Sequence, residues 1–233
     1  MTTHGETGKD RAQLGNIARR VVKHATLPLL LARADRDVPI YPVATIWDVT
    51  VALDGSDKAE TALGVATRLA STLAVPLTLL HVVPDAFFVA TVTRGYEASS
   101  YRMQDEMDAY HCMREERAAA YLDAVAARIA LPGLIVRTVV TRSVTNRAGD
   151  GLAAYLTKRP HTLAVIAREE RADAAWWSRG EMLKGALAQM PCALLIVPAG
   201  ATNEPIGEGE HEILWARFPA RVGTGYVLPR TPV

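Results

Sequence analysis

The chain has 233 residues, 49 % hydrophobic and 22 % charged, with 26 Lys and Arg against 25 Asp and Glu. That balance excludes a disordered, collagenous or low-complexity protein, and a net charge of +1 gives no electrostatic footprint for nucleic acid or an anionic membrane. Two cysteines are too few for a disulfide scaffold, no apolar run nears the roughly 20 residues of a membrane helix, and the first twenty residues are charged where a signal peptide is apolar, so a cytoplasmic α/β or α+β protein is expected. The first predicted elements are a helix over about Ala12–His24 and an apolar strand over Leu27–Ala32. Asp35–Ile46, with Pro39 and Pro42, reads as a linker. Val49–Leu53 is a β-branched run ending at Asp54-Gly55-Ser56. Asp57 with Glu60 forms a predicted capping box for a helix carrying Leu63, Ala66, Leu69, Ala70 and Leu73 at helical spacing.

Leu77–Val83 is a second apolar run, closed by Pro84, and a long helix follows from about Tyr101 to Ala130, stopped by Pro132-Gly133. Leu134–Val140 reads as the third strand, Gly151–Leu156 as a short helix and Thr162–Ile166 as the fourth strand. A helix over about Gly180–Gln189 leads into Ala193–Val197, the fifth. Near-continuous apolar strands separated by helices predict a doubly wound parallel sheet covered on both faces. After Pro198 comes an irregular tail holding Trp215, Phe218 and Tyr226, read either as packed onto a surface or as disordered.

Residues 1–32 cannot bury their own apolar surface and must dock on something. A shift of 165 residues lays residues 4–32 over 169–197 without a gap: Gly15 falls on Gly180, Ile17 on Met182, Val22 on Leu187, Leu29 on Leu194 and Leu30 on Leu195. The N-terminal piece therefore reads as the last helix–strand unit of another, otherwise missing, copy of the same domain. The domains expected are residues 1–33, a fragment of a first copy; 34–46, a linker; 47–198, the complete domain; and 199–233, the tail.

Val49-Thr-Val-Ala-Leu-Asp54-Gly55-Ser56 and Leu77-Thr-Leu-Leu-His81-Val82-Val83 resemble the opening of a universal stress protein domain. Thr3-His4-Gly5-Glu6-Thr7-Gly8, then Gly15-Asn16 and His24-Ala25-Thr26-Leu27-Pro28, resemble that family's closing segment. The resemblance covers residues 1–32 and about 47–198. It implies a five-stranded parallel sheet of order 3-2-1-4-5, of the adenine nucleotide alpha hydrolase type, here with an extra N-terminal helix–strand unit. It also implies dimers or tandem pairs joined through the fifth, edge strand, and ATP binding in some members. A homodimer or an intramolecular pseudo-dimer, with Leu27–Ala32 against Ala193–Val197, is therefore expected. The stress signal and a protein partner stay unidentified.

Carried over by position, Asp54 takes the ribose place, Gly55 and Ser56 follow it, and Val82 or Val83 falls where the family lines an adenine pocket. Ligands of open α/β sheets sit beyond the strands' carboxyl ends where strand order reverses. The phosphate loop departs from the pattern. In the register of the repeat its two glycines become Glu170 and Asp173, and the Gly-Ser/Thr pair becomes Gly180-Glu181. Two like unit charges 4 Å apart repel by about 4 kcal/mol at an effective dielectric near 20. ATP binding is expected to be weak or lost, although Arg168, Arg171 and Arg179, or a divalent metal, could offset part of that repulsion.

Gly5, Gly8, Gly15 and Asn16 keep the loop motif in the N-terminal piece, but without an adenine pocket of its own. A hybrid site with Asp54 would need Leu27–Ala32 to displace Ala193–Val197, whose connection is short and local. Each candidate has a plainer reading. Asp54 and Ser56 could be turn or cap residues, and Glu170, Asp173 and Glu181 a solvated acidic loop. His81 reads as a buried, satisfied histidine and Cys192 as a small core residue. Spacing gives His111 and Cys112 no carboxylate or amide partner. Trp176 and Trp177 could fill the emptied phosphate region or form a partner surface. No motif for a specific reaction or a metal is present. Two classes remain: a regulatory or interaction module independent of nucleotide, and an ATP-binding stress sensor with a remodelled, metal-assisted loop.

Overall fold

A computed structural model describes residues 16–32, 46–85, 101–145, 147–168, 183, 186–187 and 192–198. The chain divides into two compact units, Met1–Ala201 and Thr202–Val233, the second outside the described residues. In chain order the elements are α1 (Asn16–His24), β1 (Leu29–Leu31), β2 (Asp48–Leu53), α2 (Asp57–Glu60), α3 (Leu63–Leu73), β3 (Leu77–Val83), α4 (Tyr101–Arg128), β4 (Val136–Arg142), α5 (Ala148–Thr157), β5 (Thr162–Arg168) and β6 (Ala193–Pro198). Leu183, Ala186 and Leu187 are helical as well.

The sheet has six strands in the order β1-β6-β5-β2-β3-β4. The five from β2 to β6 pair in parallel and keep the expected 3-2-1-4-5 order. The sixth, β1, joins the edge antiparallel to β6, so the sheet is wider than five strands and mixed at one end. Strand alternation divides the core in two. On one face Ala52, Leu80, Val82, Ala164, Ile166, Leu194 and Ile196 pack with Ala18 and Val22 of α1, with Leu152 and Leu156 of α5, and with Leu183 and Leu187. On the other, Val49, Val51, Leu53, Leu77, Leu79, Val165, Leu195 and Val197 pack with Ala66 and Ala70 of α3 and Leu122 and Val125 of α4.

The β1–β6 register has a symmetry of its own. Leu30 lies opposite Leu195, the residue 165 positions further along the chain, and Leu29 and Leu31 lie opposite Ile196 and Leu194. The pairing is thus two-fold about the Leu30–Leu195 pair. Ala18 and Val22 of α1 are buried in one cluster with Leu183 and Leu187, which lie 165 residues further along the chain. The union is also fixed by charge. Arg168, buried at the end of β5, donates from Nη1 to the carbonyls of Val22 (2.6 Å) and Lys23 (3.0 Å) in the last turn of α1. Carbonyls of a last turn have no partner within the helix and carry its negative dipole end.

Two polar features brace the lower, N-terminal end of the sheet. Asp48 accepts hydrogen bonds from the hydroxyls of Thr50 (2.7 Å), Thr78 (2.8 Å) and Thr162 (3.4 Å), tying three neighbouring strands to one carboxylate. Trp47 stacks on His161 with ring centroids 4.1 Å apart.

Candidate functional site

The order reversal lies between β2 and β5, so the crevice that follows from the topology opens above the ends of those strands. β2 runs out at Leu53 into an exposed turn. Gly55 takes φ +86°, a conformation that a side chain would strain. Asp54 turns its carboxylate on its own backbone: Oδ1 accepts from the Ser56 amide (3.0 Å) and the Ser56 hydroxyl (2.6 Å). The Ser56 hydroxyl in turn accepts from the Ala59 amide at 3.2 Å and caps α2. The cap is therefore Ser56, not the expected Asp57. The Glu60 side chain, which a capping box would turn back on α2, instead accepts from the Tyr121 hydroxyl (3.0 Å) and from Arg128 (2.6 Å) on α4.

Beneath this turn stands His81, opposite Leu53 in the register and edge-on to Tyr121, with centroids 6.2 Å apart. Burial pushes its imidazole below the ordinary histidine range; Asp54 pulls it up and Arg114 pushes it further down. Its Nδ1 is buried with no hydrogen-bond partner among the described residues, so the expected satisfied histidine is half satisfied at most. The Tyr121 phenol is pushed above its usual range by burial and then by its bond to Glu60.

Val82 and Val83 are both buried. Val82 faces α5, where a Cβ built on Gly151 would stand 2.6 Å from its Cγ1. A second polar group closes the neighbouring strand ends. Ser143 donates to the Arg147 carbonyl (2.8 Å), Thr145 donates to Asp150 (2.8 Å), and the Asp85 amide donates to the Thr145 carbonyl (3.0 Å). His111, buried on α4, sets Nε2 3.3 Å from Asp85 Oδ1. This corrects the expectation that His111 lacks a carboxylate partner: Asp85 comes from the end of β3, at a separation no helical spacing could reveal. Cys112 is also partnered, donating to Glu116 at 3.6 Å, and that carboxylate raises the thiol's pKa. Cys192 is pushed up to about 12 by burial. Neither thiol is activated as a nucleophile.

Arg168 is engaged on α1. Asn16 is the first residue of α1. Gly5, Gly8, Gly15, Gly180, Glu170, Asp173, Glu181, Arg171, Arg179, Trp176, Trp177 and the tail aromatics lie outside the described residues. Sequence reasoning missed the bonds of Glu60 to Tyr121 and Arg128, the group at Ser143 and Thr145, and the β5–α1 role of Arg168, partners that lie far apart in sequence or in loops. Among the described residues no His, Cys, Asp and Glu group could hold a metal ion, and no helix is long and apolar enough to cross a membrane.

A universal stress protein from Archaeoglobus fulgidus matches this structure at 16 % identity and a TM-score of 0.52, over 81 % of this chain and 57 % of that one. This chain thus spans little more than half of that longer protein. The hypothetical protein MJ0577 matches at 11 % identity and a TM-score of 0.51, over 68 % of this chain and 99 % of its own. A third structure, a universal stress protein in complex with cAMP, is 15 % identical with a TM-score of 0.45, over 66 % of this chain and 98 % of that one. No curated protein matches in sequence. The model of the universal stress protein family matches residues 48–198, from the first residue of β2 to the last of β6. With that match over most of its length and a parallel 3-2-1-4-5 core around the same strands, the chain belongs to the universal stress protein family.

Proposed function

We propose that this protein is a regulatory and interaction module of the universal stress type, not an enzyme, in which nucleotide binding has degenerated. The observation that carries the reading is the use made of Asp54: the carboxylate oxygen that a ribose hydroxyl would seek is bonded twice within its own turn. The sequence adds Glu170, Asp173 and Glu181 where the family's phosphate loop has small, neutral residues. The N-terminal unit is read as the closing helix–strand piece of another copy, a reading supported by the two-fold register about Leu30 and Leu195. On that reading an intramolecular pseudo-dimer contact occupies the edge through which the domain would meet a partner.

A thermal shift assay tests this. A ligand at 100 times its dissociation constant adds about 2.7 kcal/mol. For a domain of this size that raises the melting temperature by roughly 5–10 °C. ATP or cAMP at millimolar concentration is expected to leave it unchanged, and a full shift with ATP alone would overturn the proposal. The second reading, a nucleotide sensor with a cation bridging the acidic loop, is favoured by the exposure of Asp54 at the switch point. Its signature is a shift that appears only when magnesium or manganese accompanies ATP.

A further inference from the structure

The imidazole of His81 is the one group at the head of β2 and β3 that neither the cap of α2 nor the core explains. In the sheet Leu53 and Val140 flank it, and neither can ionise. The groups around it that can are Asp54 in the turn above, Glu60 on α2, and Arg114, Tyr121 and Arg128 on α4. α3, which also packs on β3, carries Arg68, and that side chain is exposed. α5 lies on the opposite face of the strand, at Val82. The Nδ1 of His81 is buried and has no hydrogen-bond partner among the described residues. A neutral ring carries one N–H, a protonated ring carries two, and a buried charge requires a partner.

The two carboxylates of this group differ in what they have left to give. Glu60 spends Oε1 on the Tyr121 hydroxyl and Oε2 on Arg128. Asp54 spends Oδ1 twice on Ser56, while its Oδ2 accepts no hydrogen bond among the described residues. We infer that this crevice is a proton-sensing site, in which protonation of His81 draws the Asp54 carboxylate off Ser56 and onto the imidazolium. The same proton then releases the hydroxyl that caps α2, and α2 carries the Glu60 that ties Tyr121 and Arg128 of α4. One titration at the strand ends thereby reaches two helices, which is how a buried histidine turns mild acid into a change of shape. Asp54 favours the charged ring and Arg114 opposes it, so the two residues set the switching point from opposite sides. This deepens the regulatory-module reading by naming acidification as the class of signal, and it rests on that reading in taking the crevice to be without nucleotide.

The test is an NMR titration of the full chain, without nucleotide, between about pH 7.5 and 5, where ordinary carboxylates stay ionised. The His81 ring signals follow its protonation, and the Ser56 and Ala59 amides follow the cap. Both amide protons are expected to move upfield, as hydrogen bonds are lost, with the midpoint of His81. In His81→Phe they should stay flat over the same range. Asp54→Asn should lower the His81 midpoint by about one pH unit, and Arg114→Gln should raise it. Asp54 is exposed, so its variant tests the pairing even where phenylalanine at position 81 disturbs the core. Four outcomes would overturn the inference: a ring that stays neutral throughout, amides that stand still while His81 titrates, amides that move equally in His81→Phe, or a midpoint that Asp54→Asn leaves in place. A thermal shift with ATP alone would overturn the loss of nucleotide binding instead, so the two readings can fail separately.

Discussion

His81 shows how a residue that reads as core packing acquires a thermodynamic signature. Burial holds its imidazole below the ordinary value of 6.5, so the unfolded chain takes up a proton that the folded one refuses. Stability is therefore highest with His81 neutral, falls as pH drops through about 6.5, and levels off below the folded-state value. Between about pH 7.5 and 5.5, chemical denaturation of the wild type should show this loss, and His81→Phe should flatten its slope. An unchanged slope would assign the effect to other histidines. The place of His81 near the end of an apolar strand is legible in the sequence, but an Nδ1 without a partner among the described residues is not, because that depends on what surrounds the ring across β2 and α4. The cap of α2 is ambiguous for a related reason. Asp57 and Ser56 are both competent caps, and the choice between them rests on Asp54 holding the Ser56 hydroxyl in place.

Among the elements, α5 depends on a close approach. A methyl group on Gly151 would meet Val82 Cγ1 at 2.6 Å and the Ser143 backbone at 3.1 Å, and backbone cannot turn aside as a long side chain can. Gly151→Ala should therefore cost about 1–3 kcal/mol, as overpacked cores do, despite the better helix propensity of alanine. A denaturation midpoint equal to or above the wild type would refute this. Glycine's poor propensity also hides the start of this helix: the apolar pattern begins at Gly151, whereas the helix begins at Ala148 and carries Gly149 inside it. Strand boundaries differ from the pattern for local reasons as well. The apolar run starts at Leu134, but the Leu134 amide closes a turn on Leu131 beside Gly133 at φ +82°, so β4 starts at Val136. At its other end Thr141 and Arg142 look like loop yet pair with Val82 and Val83. Strand identity and order follow from periodicity, because buried parallel strands leave continuous apolar runs.

For the whole molecule, the decisive joint is the one between the N-terminal unit and the parallel sheet. Its existence is legible in the apolar strand Leu27–Ala32, expected against Ala193–Val197 and paired there as β1 with β6. The role of Arg168 is not, since nothing in its neighbourhood distinguishes it from the arginines at 171 and 179. Removing its guanidinium leaves the Val22 carbonyl buried without its donor, a loss of about 1.5–3 kcal/mol for a charged hydrogen bond. Arg168→Met should accordingly speed proteolytic loss of residues 1–33 roughly tenfold or more while 47–198 stays intact. Equal cleavage of both proteins would show that β1 pairing and the packing of Ala18 and Val22 hold the unit without the arginine.

The partners of Arg168 are main-chain oxygens, and every amino acid provides one. Lys23 could become almost anything without altering what the guanidinium sees, whereas no other side chain at position 168 reproduces a planar, permanently charged fork. Mutational tolerance across this joint is thus lopsided: drift is cheap on the helical side and confined on the strand side. A saturation scan would register that asymmetry as a permissive column at 23 facing a nearly empty one at 168.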